Sequence, residues 1–293
     1  MKLVTYNIQY AKGKDGRFDL GRIAGAVDGA DVIALQEVER HWPRSDMADQ
    51  PAELGALLPG YYWVYGPAFD IDASVRGGNG AITNRRRQFG TMLLAKTPVL
   101  WSRLHPLPKL GTASEFNMDM GALEGVIETG AGPIRVYSLH LSSVSGRERL
   151  AQIAHLHGIH ACAPLTGGTW TGVADACDAA WTCDEPPPPM PGEAVWMGDF
   201  NAEPGGPEYD AIVGDGDPLH GYVVQLDRFA DAWVAAGNDV AGGVTYPAQG
   251  IIGDMRLDYC FVTPGLVPRV RRAWIDGKAR GSDHQPAWTE IDV

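Results

Sequence analysis

The stretch Ala194–Pro204 reads AVWMGDFNAEP. An apolar run of strand type stops abruptly on Asp199, an aromatic residue and Asn201. Asp and Asn are ordinary turn residues, because their short side chains bond nearby backbone groups. At the end of a buried strand, the same two residues deliver hydrogen-bonding groups to a site. The rest of the chain repeats the pattern. KLVTYNI (2–8) ends near Asn7, and DVIALQEV (31–38) carries Gln36 and Glu37 at its end. PIRVYSLHLS (133–142) carries His140, and RLDYCFVT (256–263) carries Asp258 among apolar neighbours. The last run, PAWTEIDV (286–293), follows GSDHQP with Asp283 and His284. Each residue alone has an ordinary structural use as a cap, turn or satisfied core group. Their joint occurrence in or beside apolar strands points to one site.

GTMLLAK (90–96) and GALEGVIE (121–128) complete the strand set, short runs bounded by Gly, Pro, Asn and Asp. Two stretches have helical spacing: LGRIAGAVDGA (20–30) puts Leu20, Ile23 and Val27 on one face, and GRERLAQIAHLHGIHAC (146–162) puts Leu150, Ile153, Leu156 and Ile159 on one face. This predicts an α/β protein of packed sheets covered by helices. One domain over 1–293 is expected, with irregular surface inserts at about 66–90 and 163–193. The first insert is Gly-rich and basic at Arg85, Arg86 and Arg87. The second contains EPPPPMPGE, whose prolines cannot join a helix or a central strand.

The chain has 293 residues, 24 basic and 36 acidic, for a formal charge of −12. That balance disfavours broad binding to nucleic-acid backbones, which needs clustered Lys and Arg. Four cysteines (Cys162, Cys177, Cys183, Cys260) with no CxxC pair exclude a zinc ribbon and a disulfide scaffold. Cys177 and Cys183 lie close enough in sequence to pair in an oxidising compartment, although free thiols are expected. MKLVTYNIQY has no apolar signal-peptide core, and no run reaches a membrane span, so a cytoplasmic location is expected.

The candidate donors Glu37, Asp283, Asn7 and Asp199 are oxygen or amide groups. They suit a hard cation such as Mg²⁺, or Mn²⁺, which takes carboxylates, water and substrate phosphate. His155, His157 and His160 lack zinc spacing and read as a helix face.

Taken in order, TYNIQ, ALQEV, YSLHLS, GDFNAEP, RLDYCFV and GSDHQPAW resemble the endonuclease/exonuclease/phosphatase superfamily, which includes DNase I-like nucleases, sphingomyelinases and inositol-polyphosphate phosphatases. The resemblance runs from Asn7 to His284 and implies a four-layer DNase I-like sandwich of two mixed β-sheets flanked by helices. It implies Glu37 as principal metal ligand, with Asn7 and Asp283 in the same cluster, directly or through water. It implies that Asp199 positions or deprotonates the attacking water and that Asn201 holds Asp199 and the phosphate. His284 would donate to a phosphate oxygen with Asp258 fixing its tautomer, and His140 would be a second phosphate-contacting histidine. The chain departs from the pattern GNAILS with GTMLLAK: Thr91 stands for an asparagine and Lys96 for a serine or arginine. Thr91 and the Arg85–Arg86–Arg87 run are the expected substrate contacts.

The implied activity is a metal-dependent phosphoester hydrolase, acting as a phosphodiesterase or phosphatase on a small or lipid-linked phosphoester. A metal-dependent nuclease and a non-catalytic binding protein are the alternatives. The acidic balance and the lack of a long basic stripe weigh against the nuclease. For a lipid substrate, LPGYYWVYG (58–66) and TGGTWTG (166–172) are the apolar candidates. The alternation of Tyr61, Tyr62, Trp63 and Tyr65 fits a half-buried strand better, and Trp170 is expected to be exposed.

Overall fold

Period-2 alternation along the apolar runs sorts side chains into different cores. Leu3, Val32 and Ala34 enter one hydrophobic cluster, while their sequence neighbours Val4, Ile33 and Leu35 enter another. Likewise Val136, Val195 and Met197 face the first cluster, and Tyr137 and Trp196 face a third. Strands apolar on both faces must be covered on both faces. Three clusters therefore separate four layers: helices, sheet, sheet, helices.

The computed structural model describes residues 1–173, 175, 178–248 and 252–293. In chain order the strands are β1 (Lys2–Asn7), β2 (Val32–Arg40), β3 (Tyr62–Asp72), β4 (Val75–Arg76), β5 (Ile82–Thr83), β6 (Arg86–Ala95), β7 (Val99–Pro106), β8 (Gly121–Ile127), β9 (Ile134–His140), β10 (Ala194–Asp199), β11 (Ala230–Asp231), β12 (Asp258–Val262), β13 (Val270–Ile275) and β14 (Ala287–Ile291). The helices are α1 (Leu20–Ala26), α2 (Gln50–Leu57), α3 (Gly146–Thr166), α4 (Ala179–Thr182), α5 (Pro207–Val213) and α6 (Ala232–Ala235). One six-stranded sheet runs β13-β14-β1-β2-β6-β3 and the other β11-β12-β10-β9-β8-β7; β4 and β5 form a separate small pair. Both large sheets are mixed: β1 and β2 are parallel, as are β9 and β10, and the remaining pairs are antiparallel. This is the expected two-sheet α/β sandwich.

Helix α1 packs Ile23, and Val27 just after it, on the outer face of the first sheet, and α3 packs Ile153 and Leu156 on the outer face of the second. Leu150 departs from its expected face and is 37% exposed. Ser145 caps α3 by accepting from the Glu148 amide. The buried Glu148 carboxylate accepts from Leu110 N and from Asn117 Nδ2. It thereby ties the 107–120 loop to the second sheet.

The basic stretch at 66–90 differs from the irregular insert expected. Much of it is a hairpin arm at the edge of the first sheet, β3 pairing β6 from Tyr62↔Ala95 to Asp72↔Arg86, tipped by β4 and β5. Pairing resumes in β4 and β5 and runs up to the Gly-rich tip, where residues 77–81 make the turn. Tyr61 and Tyr65 hydrogen-bond the carbonyls of Ala30 and Val38, while Tyr62 and Trp63 are exposed. Residues 163–193 finish α3, form the short α4, and are otherwise without regular structure where described. Trp170, expected to be exposed, is half-buried. Cys177 lies outside the described residues, so its pairing with Cys183 does too; Cys162 and Cys183 are exposed and Cys260 is buried. No helix among the described residues is long and apolar enough to cross a membrane.

Candidate active site

Strand register makes the site. Asp199 at the end of β10 lies opposite His140 on β9 and opposite Asp258 on β12. Residues in register on neighbouring strands present their side chains on one face, so these three form a row. Gly198, immediately before, allows the close approach: a Cβ there would sit 1.9 Å from the Leu139 carbonyl oxygen. Across the sandwich, Asn7 ends β1 opposite Gln36 on the parallel β2. Gln36 ties the sheets together, accepting from Thr5 Oγ1 at 3.2 Å and donating to Ser138 Oγ at 3.1 Å.

A β-bulge aims Glu37. Leu35 pairs with Met92 and Val38 with Gly90, so Gln36 and Glu37 together face Thr91 alone. Glu37 takes a left-handed backbone, φ 59°, which costs a non-glycine residue about 1–3 kcal/mol. Asn201 (φ 49°) and the consecutive Gln9, Tyr10 and Ala11 (φ 44°, 45° and 65°) share this conformation. Left-handed non-glycine residues gather at this end of the sandwich, as at sites where geometry outweighs local strain.

The side chains meet in one network. Asn7 Nδ2 donates to Glu37 Oε1 at 3.1 Å and to Asp199 Oδ2 at 2.9 Å, so these two carboxylate oxygens lie within about 6 Å of each other. The Asn7 side-chain oxygen Oδ1 accepts from the Gln9 backbone amide at 3.0 Å. Gln9 Nε2 donates to Asp283 Oδ2 at 2.7 Å, and Ser282 Oγ donates to the Asn7 backbone carbonyl at 2.7 Å and lies 3.2 Å from Asp283 Oδ1. The Asn201 amide holds Asp199 Oδ1 at 2.9 Å, and Asn201 Nδ2 is anchored on the Leu141 carbonyl. His140 Nε2 and His284 Nε2 approach Asp199 Oδ2 at 3.5 and 3.7 Å.

His284 Nδ1 lies 2.7 Å from Asp258 Oδ2, and the backbone amide of Asp258 is held by Thr245 Oγ1. Burial alone lowers the imidazole pKa, but the charge and hydrogen bond of Asp258, then Asp199 and Asp283, outweigh it and raise His284 to about 10. Burial pushes the Glu37 carboxyl above its usual range, against the opposing pull of His140, Asn7 and His284. Asp258 is raised too, by burial first.

The donor set fits a hard dication. Glu37, Asp199 and Asp283 line one cleft beside only two imidazoles and Arg44, and among the described residues the protein bonds only one oxygen of Glu37. Ligand-type atoms of Asp199, Asp258 and His284 also lie within 4.8 Å of one another. Those two carboxylates, however, face different nitrogens of one ring, Asp258 at Nδ1 and Asp199 toward Nε2. One imidazole cannot turn both nitrogens to one ion, so this trio suits proton handling.

The cleft has a volume of about 370 Å³. Its polar floor carries Glu37, His140, Asp199, Asn201, Asp283 and His284. Phe89, Met118, Met120, Ile252, Met255 and Leu257 give it apolar walls. The Tyr246 ring stands 5.0 Å from His284, edge to face. Sequence reading named the floor but missed the walls and Arg44, which carry no motif; Met118 and Met120 arrive through the Glu148-tethered loop, and Met255 from the segment that pairs with Tyr246. The Arg85–Arg86–Arg87 run does not line this cleft: Arg86 pairs with Asp70 and Arg87 reaches the His41 carbonyl, both on the β3–β6 arm. Thr91 is 3% exposed, with its hydroxyl buried opposite the bulge and unpartnered among the described residues. His157 and His160 bond Ala211 O and Arg135, and His155 is exposed.

No curated protein matches the chain. Among solved structures, a Beutenbergia cavernae endonuclease/exonuclease/phosphatase aligns with a TM-score of 0.63 at 20% identity, over 100% of this chain and 71% of that one. A Bacteroides vulgatus protein of the same description aligns at 0.65 and 18%, over 100% and 98%. A Bacteroides thetaiotaomicron mannosyl-6-phosphatase aligns at 0.62 and 15%, over 100% of both. At these identities the likeness speaks for the fold. Residues 4–284 match the sequence pattern of one family, spanning Asn7, Glu37, His140, Asp199, Asp258 and His284. The chain belongs to the endonuclease/exonuclease/phosphatase family.

Proposed function

We propose that this protein is a Mg²⁺- or Mn²⁺-dependent phosphoester hydrolase, a phosphodiesterase or phosphatase acting on a small or lipid-linked phosphoester. The observation that carries the reading is the row His140–Asp199–Asp258, closed by His284 and facing Glu37 through the shared Asn7 amide. Asp199 is the base that aligns and deprotonates the attacking water, held in place by the Asn201 amide and Asn7. His284 stays cationic through neutral pH and donates from Nε2 to a phosphoryl oxygen, while Asp258 fixes the proton on Nδ1. His140 adds a second donor as charge develops on the phosphoryl oxygens.

Glu37 and Asp283 would hold the dication, with Asn7 and Gln9 setting their positions. When bound, the ion would supply Lewis-acid neutralisation of phosphoryl charge. The apolar walls favour an ester whose alcohol is apolar. The likeness to a mannosyl-6-phosphatase agrees with phosphoester chemistry on this fold.

Turnover of bis-p-nitrophenyl phosphate, p-nitrophenyl phosphate, a lysophospholipid, sphingomyelin and plasmid DNA, each with Mg²⁺, Mn²⁺ or EDTA, tests the reading. Ester turnover that EDTA abolishes, without plasmid nicking, is expected. Nicking at low salt would move the assignment to a nuclease. No turnover of any substrate, with no calorimetric Mg²⁺ binding, would overturn it.

A further inference from the structure

One cation in the cleft is fixed from several sides at once. Arg44 lies in a 3-10 turn, Pro43–Ser45, between left-handed residues: His41 (φ 57°) before it, Asp46 (φ 53°) and Met47 (φ 59°) after it. None is glycine, so the loop holds a conformation that costs each of them. Backbone bonds from His41 N to Ala48 O and from Met47 N to Trp42 O lock it. The guanidinium carbon lies 3.9 Å from the Tyr10 ring centre and 4.5 Å from that of Trp42. Tyr10 reaches it from the left-handed run at Gln9–Ala11, whose carbonyl at Tyr10 is held by Gln50 Nε2. Nε and Nη2 both donate to one oxygen of the buried Glu39, at 2.9 and 2.7 Å.

Stacked rings fix the guanidinium plane and Glu39 takes one edge. Nη1 has no bonding partner among the described residues, and the side chain opens into the cleft with Glu37, His140, Asp199, Asp283 and His284. Glu39 is fully buried, whereas the Arg44 side chain is 39% exposed, so the ion pair fixes one edge of the guanidinium and leaves the other open to the cleft. A guanidinium held this way, on strained backbone at the wall of an acidic cleft, supplies directed donors for an anion. Resting on the proposed phosphoester hydrolysis, we infer that Arg44 is a substrate-binding residue whose free edge grips the phosphoryl oxygens of the substrate from the Glu37 side. Glu39, Tyr10 and Trp42 are its positioning residues. The planar fork matters, because lysine offers a point charge and no paired donors.

The test uses the Mg²⁺-loaded enzyme, Arg44→Lys and Arg44→Met. Readouts are kcat and KM for bis-p-nitrophenyl phosphate, calorimetric binding of inorganic phosphate, and melting temperature. Loss of charge-assisted hydrogen bonds predicts a rise of about 10- to 100-fold in KM and in the phosphate dissociation constant, with kcat changed far less. Arg44→Lys keeps a cation beside Glu39, so it decides the matter if Arg44→Met does not fold. If the wild type turns over the ester and Arg44→Lys keeps both constants, the inference is overturned while the hydrolase reading stands. If the wild type binds phosphate but turns over no ester, and Arg44→Lys weakens that binding, the anion site stands and the hydrolase reading falls. A wild type that neither binds phosphate nor turns over overturns both.

Discussion

Replacing Asp258 with asparagine isolates one charge in the site. Asp258 Oδ2 lies 2.7 Å from His284 Nδ1, both side chains are nearly fully buried, and asparagine keeps the shape. His284 stands at about 10 instead of the ordinary 6.5. At about 1.4 kcal/mol per tenfold, that rise favours the imidazolium by roughly 5 kcal/mol. Burial opposes the charged form, and Asp258 is the largest contribution acting against burial. Without its charge the His284 pKa should fall, and the ring should lose its proton nearer neutrality. Initial rates on a phosphodiester across pH 5–11 read the change. The wild type should keep its His284-dependent activity until pH rises through about 10, whereas the Asp258→Asn variant should lose activity already near neutrality. At pH 7 the rate should fall by about 10²–10⁴, the usual worth of a placed acid or base. The same sign governs stability. The folded pKa is raised, so the stabilisation is full below about 6.5 and is lost as pH rises through about 10. An Asp258→Asn enzyme with an unmoved alkaline limb and a near-normal rate would refute the reasoning.

Four further outcomes follow from the geometry. Glu37→Gln should keep the fold and weaken Mg²⁺ binding at least tenfold by titration calorimetry; unchanged affinity would remove Glu37 from the metal site. Gly198→Ala should lower stability by about 2 kcal/mol or more in denaturant melts and depress activity, because its Cβ meets the Leu139 carbonyl beside Asp199. Arg135→Ala should cost about 3–5 kcal/mol in the same melts, since it leaves the buried Glu124 short of a charge partner that also bonds Tyr137 and His160. EDTA should abolish turnover, and Mg²⁺ or Mn²⁺ should restore it.

How much was legible in the sequence depended on where each signal lay. Asp199, His140 and Asp258 could be read because each interrupts or ends an apolar run, and strand register then places them side by side. The eight expected strands all formed, with ends shifted by a few residues at most. β7 and β13 were not read: Val99–Pro106 and Val270–Ile275 are largely polar or half-buried edge strands without a clean alternation. Helices α2 and α5 were missed as well, being one to two turns long and too short for periodicity to show. The Gly-rich, basic 66–90 stretch read as irregular because composition hides a ladder that continues from both flanking strands. The bulge at Glu37 leaves no mark in composition, since the left-handed residue is not glycine. Arg44 was invisible for a related reason: its role comes from Tyr10, Trp42 and Glu39 meeting around it across separate segments.

The claim that most needs testing is that Glu37 anchors a divalent ion beside Asp199 and His284. Anomalous diffraction from crystals soaked in Mn²⁺ addresses it directly. A single strong peak bound to the Glu37 carboxylate, facing Asp283 and the cleft, is the predicted result. A peak lodged between Asp258 and His284 with Glu37 unbound, or no peak at saturating Mn²⁺, would contradict the account.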